Sequence, residues 1–105
     1  MQPPQEHIDE LVRRIVDAVH PLRIILFGSA ARGEMGPESD VDVMVVMPEG
    51  THRRRTAQFL HRQFLGVPFP VDVVVATPED LKQYAHSPGL IYGSVVEEGK
   101  EVYAT

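Results

Sequence analysis

The chain reads as an α/β protein built on a mixed sheet, and three observations point there. Short apolar runs recur at 23–27, 41–47 and 71–76. Stretches with apolar residues at helical spacing lie before, between and after them, and strands alternating with helices define the α/β class. The connection between the first two runs is short for a parallel crossover, so those strands are expected to pair antiparallel within a mixed sheet. The 105 residues suit a single domain, 1–105, with one modest core.

Each element follows from its residues. Ile8, Leu11, Val12, Ile15, Val16 and Val19 fall at i, i+3, i+4, i+7, i+8 and i+11, which predicts an amphipathic helix over 6–19 that Pro21 helps to stop. Arg23 to Phe27 is a strand whose unbroken apolar character predicts burial on both faces. Ser29 to Glu34 is expected to form a short helix or turn, with Gly33, Gly36 and Pro37 keeping the next loop irregular. Val41 to Met47 is the second strand, ended by Pro48-Glu49-Gly50. Thr51 to Leu65 predicts a second helix that buries Ala57, Leu60 and Phe64 and leaves Arg53, Arg54, Arg55 and Arg62 outside. Val71 to Ala76 is the third strand.

Thr77-Pro78-Glu79-Asp80 then has a threonine cap, proline in the first turn and acids near the positive end of the helix dipole, so a short helix should run to Tyr84. Another is expected from Ser87-Pro88, with Leu90, Ile91 and Val95 inward and Gly99 as its stop. Glu101-Val102-Tyr103 is a candidate last strand.

Composition narrows the function classes. Hydrophobic residues are 43% and charged residues 24%, ordinary for a soluble globular chain. No apolar run reaches the roughly 20 residues of a membrane helix, and the polar start lacks a signal-peptide pattern. Cysteine is absent, which excludes disulfides and thiolate metal sites and makes the cytoplasm the expected location. A net charge of −5 argues against a broad nucleic-acid surface. The five histidines show no zinc-type spacing.

The chemistry concentrates where the first strand ends and the second begins. Leu26-Phe27-Gly28-Ser29-Ala30-Ala31-Arg32-Gly33 is followed by Ser39-Asp40-Val41-Asp42-Val43. Alternate residues of a strand share a face, so Asp40 and Asp42 point the same way, roughly 7 Å apart along the backbone. Two such carboxylates repel in water, and a divalent cation between them removes the repulsion. Gly28 lets backbone approach a ligand closely, and Ser29, at the start of a helical turn, offers a hydroxyl and N–H groups to an anion. Arg32 is placed either to reach a phosphate or simply to face water. Asp72 sits inside Val71-Asp72-Val73-Val74-Val75, where an unpaired charge would be costly, so it faces either water at a sheet edge or a cation.

Gly28-Ser29, ten further residues and then Asp40-Val41-Asp42 resemble the motif of the DNA polymerase β-like nucleotidyltransferase superfamily. The nearest likeness within it is to the minimal nucleotidyltransferases, small prokaryotic proteins often paired with a HEPN-domain protein. That family carries a third carboxylate on a later strand, and Asp72 fits the position. The resemblance spans nearly the whole chain and implies a sheet with core strands in the order 1-2-3.

It further implies transfer of a nucleoside monophosphate, with ATP the expected donor, to a hydroxyl. Asp40, Asp42 and Asp72 would hold two Mg²⁺ ions, with Mn²⁺ an alternative, while Gly28 and Ser29, with Arg32 as an optional contact, would anchor the triphosphate. The implied partner is a HEPN toxin that bears the acceptor, making this chain an antitoxin. Two other functions fit the same residues: a module that occludes a partner without catalysis, and a small-molecule transferase of the aminoglycoside-modifying kind. The His52-Arg53-Arg54-Arg55 run reads as a solvated helix face, or as a contact for nucleotide phosphates or an acidic partner. Arg55 and His61 match the spacing of the HEPN ribonuclease motif, by chance in a chain of this kind.

Overall fold

The computed structural model of the chain describes residues 5–28, 41–84 and 99–105. Helix α1 spans Gln5–Val19 and strand β1 Arg23–Phe27. Strand β2 (Val41–Val46), helix α2 (Arg53–Gln63), strand β3 (Val71–Ala76), helix α3 (Pro78–Tyr84) and strand β4 (Lys100–Ala104) follow. The expected short helix at 29–34 and the helix from Ser87-Pro88 lie outside the described residues.

The sheet order is β3-β2-β1-β4. β1 runs antiparallel to β2 and β4, and β2 runs parallel to β3, so the sheet is mixed and its first three strands neighbour one another in the order 1-2-3. The antiparallel β1–β2 pair is the one that the short connection predicts. β2 and β3 need a crossover, and α2 supplies it.

Both faces of the central strands are buried. One face consists of Ile24 and Leu26 of β1, Val41, Val43 and Val45 of β2, and Val73 and Val75 of β3. Ile8, Leu11 and Ile15 of α1 and Leu60 of α2 cover it, while Ala57 and Phe64 pack at its margin half-buried. The opposite face carries Ile25, Phe27, Met44, Val46 and Ala76, with Val74 and Leu81 packed against them. Strand alternation thus assigns every even-numbered residue of β2 and β3 to the face away from α1 and α2.

Helix ends follow the local chemistry. α1 stops at His20, whose φ of 49° is left-handed and whose N–H donates to the Val16 carbonyl, with Pro21 next in the chain. α2 is capped by His52, whose Nδ1 accepts from the Arg55 N–H at 3.2 Å. α3 carries a reciprocal cap: Asp80 Oδ2 accepts from the Thr77 N–H at 3.0 Å, and Thr77 Oγ1 accepts from the Asp80 N–H at 3.3 Å. A third acceptor comes from the loop after β2, where Glu49 Oε1 takes the Glu79 N–H at 2.8 Å.

Candidate active site

The site is built from the ends of three strands. Asp42 pairs in register with Phe27 of β1 on one side and with Asp72 of β3 on the other. Neighbouring strands lie about 4.8 Å apart, and register partners in a parallel pair point to the same face, so the two carboxylate side chains stand side by side. They occupy the face opposite α1 and α2, at the end of the strip formed by Met44, Val46, Val74 and Ala76. Asp42 is half-buried and Asp72 is exposed. The edge-strand reading of Asp72 is therefore right about its position and its exposure, yet the residue beside it across the strand pair is a second acid.

Gly28 explains how the turn after β1 closes over this pair. Its φ is +67°, a left-handed conformation. A Cβ at this position would collide with Oδ2 of Asp42 and lie 3.3 Å from its Cγ. Backbone at Gly28 therefore passes directly over the Asp42 carboxylate, which only a residue without a side chain permits. Gly28 is expected from the sequence to let backbone approach a ligand closely. The structure adds that the first group it approaches is the neighbouring acid.

Like charges directly opposite on adjacent strands are destabilising, and two unit charges 4 Å apart repel by about 1 kcal/mol in water and about 4 kcal/mol at a protein surface. A pair of aspartates in register thus offers hard oxygen donors to a cation and is relieved by it, and this donor set fits Mg²⁺ or Mn²⁺. Among the described residues no group of three or more His, Asp or Glu side chains converges. Asp40, Ser29 and Arg32, the other candidates of this site, lie outside the described residues.

A second polar cluster lies at the other end of the sheet. Asp80 is buried and receives a fork from Arg53, with Nε donating to Oδ2 at 2.6 Å and Nη2 to Oδ1 at 2.9 Å. The Arg53 side-chain hydrogen bonds hold the Asp80 carboxyl below the usual carboxylate range, aided by Thr77 and opposed by burial. Arg53 is therefore a structural strut between the starts of α2 and α3 and not one more solvated arginine. The signal was present in the sequence as Asp80 at the third position of a threonine-capped helix, but its partner, 27 residues earlier, is a matter of topology. Asp42 is the second residue of β2, whereas His52 and Arg53 follow its end, which lies about 13 Å further along the strand direction at roughly 3.3 Å per residue. That distance counts against His52–Arg55 as a contact for phosphates held at Asp42 and Asp72.

A glycine turn passes over paired acids on a mixed α/β sheet of this order. The nucleotidyltransferase domain profile matches residues 7–102, and the chain belongs to that family. No curated protein matches the chain. Solved structures do. A Sulfolobus solfataricus protein assigned as a nucleotidyltransferase superposes with a TM-score of 0.64 at 19% identity, over 94% of this chain and 78% of that one. A chain of a toxin–antitoxin complex with AMP-PNP gives 0.61 at 24% identity, over 98% and 75%. A chain of the Shewanella oneidensis complex of tri-AMPylated HEPN toxin with MNT antitoxin gives 0.62 at 18% identity, over 96% and 72%. The likeness to minimal nucleotidyltransferases of HEPN-paired systems thus holds at the level of the fold. No helix among the described residues is long and apolar enough to cross a membrane.

Proposed function

We propose that this chain is a metal-dependent adenylyltransferase that moves AMP from ATP to a hydroxyl on a HEPN-domain partner, the hydroxyl oxygen replacing pyrophosphate at the α-phosphorus and giving up its proton, and so acts as the antitoxin of a toxin–antitoxin pair. The observation that carries the reading is the in-register pair Asp42–Asp72 beneath the Gly28 turn. The family match supports nucleotidyl transfer. Fold neighbours that hold AMP-PNP, or an AMPylated HEPN toxin beside an MNT antitoxin, support the donor and the partner.

Asp42 and Asp72, with Asp40 as the third acid, would hold Mg²⁺. When bound, the metal supplies neutralising charge to the triphosphate and lowers the pKa of an attacking hydroxyl. The chain's own residues do the rest. Gly28 keeps the β1 turn low over the site, so that backbone, and not a side chain, borders the space next to Asp42. Ser29 and Arg32 would anchor the triphosphate. Asp42, held between Phe27 and Asp72, has its carboxylate direction set by register, which is the positioning that in-line transfer demands. The wall that aligns an acceptor is assigned to the partner, which would hold its own hydroxyl at the site.

The test is incubation of the chain and its HEPN-domain partner with α-labelled ATP and Mg²⁺, followed by mass spectrometry of the partner. An AMP adduct on a partner hydroxyl, lost in Asp42→Asn and Asp72→Asn, is the expected result. Binding without an adduct would replace catalysis by occlusion, and rapid labelling of a free aminoglycoside without any partner would replace the protein acceptor by a small molecule.

A further inference from the structure

We propose that the outer face of α2 binds single-stranded RNA, with Arg54, Arg55 and Arg62 on its phosphates and the Phe59 ring stacked on a base. This site is separate from the paired aspartates and does not rest on the transferase reading.

Charge is the first argument. No Asp or Glu occurs between Glu49 and Asp72, while Arg53, Arg54, Arg55 and Arg62 all fall there, in a chain whose net charge is −5. The basic patch is therefore local, and the acidity of the chain argues only against a broad one. Two arginines in this region are spent internally. Arg53 forks onto Asp80, and Arg14 donates to the Gln63 carbonyl at 3.0 Å and to the Leu65 carbonyl at 2.7 Å. Arg54, Arg55 and Arg62 are exposed and make no ion pair among the described residues. Three arginines open α2 at the end where the helix dipole favours anions, and its first turn has no acid to offset them. That end is unfavourable by itself and is relieved by a bound polyanion.

Geometry is the second argument. With Leu60 turned into the core, a helical step of about 100° per residue places Arg54, Arg55, Gln58, Phe59 and Arg62 on the far side, and all five are exposed. Phe59 lies four residues after Arg55 and three before Arg62, so its ring stands between two guanidinium groups on one ridge. The ridge is about 10 Å long at 1.5 Å per residue. Single strands are held by such a pattern: cations follow the backbone, and an aromatic ring stacks on a base. A duplex keeps its base faces covered, so a ring on this ridge selects a single strand. Gln58 and His61 are exposed four and seven residues after Arg54, and they offer hydrogen-bonding groups that a ribose 2′-hydroxyl can meet. Leu65 is also exposed but lies beyond the end of the helix. One ring among cations is too little apolar surface for the core of a protein interface.

Position gives the consequence. Leu60 packs α2 onto the face of Val43, Val45, Val73 and Val75, whereas Asp42 and Asp72 project from the other face. RNA on α2 therefore leaves the aspartate site open, and the two sites can be filled together.

The experiment titrates a labelled twelve-nucleotide single-stranded RNA with the full chain at 50 and 300 mM NaCl, without ATP or Mg²⁺, and reads fluorescence anisotropy. Three phosphate contacts predict that wild-type affinity falls about fortyfold between the two salt concentrations. An Arg54→Ala/Arg55→Ala/Arg62→Ala variant should bind at least tenfold more weakly at low salt and lose most of the salt dependence. Phe59→Ala should bind about fivefold or more weakly at both concentrations with the salt dependence kept, and Phe59→Tyr should bind as wild type does. Circular dichroism should match wild type in all three variants. The RNA duplex and the DNA single strand of the same sequence should bind more weakly than the RNA single strand. No binding by wild type at 50 mM, or wild-type affinity in the triple variant, would overturn the proposal. Unchanged affinity in Phe59→Ala, or a duplex bound as tightly, would overturn stacking on a single strand, and a DNA strand bound as tightly would overturn the choice of RNA. Arginine-dependent binding of a decaglutamate peptide that the RNA does not displace would assign the face to an acidic protein and overturn the proposal. The aspartates take no part in these measurements, so failure here leaves the transferase reading intact.

Discussion

At the scale of single residues, Gly28 and Asp42 form one unit. Gly28→Ala would place a methyl group against the Asp42 carboxylate at a φ of +67°. The left-handed conformation alone costs about 1–2 kcal/mol for an L-residue. The variant should therefore melt several degrees lower and bind Mn²⁺ more weakly, as differential scanning fluorimetry and a Mn²⁺ titration would show. Asp42→Asn keeps the shape and removes a charge. Its melting temperature should stay within a few degrees of wild type, while adenylyl transfer falls by about a thousandfold, equivalent to about 4 kcal/mol of barrier. A transfer rate within tenfold of wild type would remove Asp42 from the mechanism. Both residues were legible in the sequence as candidates, because a Gly after an apolar run and an Asp opening another are local signals. Their mutual contact was not, since it needs the β1–β2 register.

At the scale of elements, helix ends and strand runs read well, and what joins them did not. β1 and β3 begin and end where their apolar runs do, and the threonine cap of α3 forms as its sequence predicts. The Arg53–Asp80 fork was hidden, because local pattern cannot say which arginine a capping acid will meet. Its contribution to stability is pH-dependent in a definite direction. Asp80 titrates below the ordinary value of 3.8 in the folded chain, so the folded state holds this proton more weakly than the unfolded one. The contribution is complete above the unfolded value and disappears as pH falls through the lower folded value. In urea unfolding from pH 7 to pH 2.5, the stability gap between wild type and Asp80→Asn should be constant down to about pH 5 and then shrink. A gap that widens in acid would contradict the assignment. At the other helix, His52→Asp should raise stability by about 0.5–1 kcal/mol, because a carboxylate can cap α2 and also suits its positive end.

At the scale of the whole molecule, Leu60 is the joint between the crossover helix and the sheet. It is fully buried among residues of α1 and the sheet's first face. Leu60→Ala should cost about 2–5 kcal/mol, a large part of the 5–15 kcal/mol of a small domain, and should be visible as a drop in the urea midpoint without a change in m-value. The class and the 1-2-3 neighbourhood of the strands were foreseeable from alternation, connection length and family likeness. The location of the arginine-rich helix, opposite the acids and not beside them, was not, because it depends on which face the crossover takes.

The side-by-side aspartates also guard the folding of the sheet. Parallel strands are held by a ladder that tolerates sliding, and a displacement of one residue turns every side chain of the moving strand to the other face. If β3 slid so against β2, Asp72 would turn into the layer of Leu11, Ile15 and Leu60, and Val73 would turn outward. Burying a carboxylate in such a layer costs several kcal/mol, enough to empty the misaligned state. A valine at this position would leave an uninterrupted apolar run with no means of telling its two faces apart. On the function proposed above, the acid assigned to chemistry also acts as an index mark, so that keeping it for transfer would keep β3 correctly aligned as well.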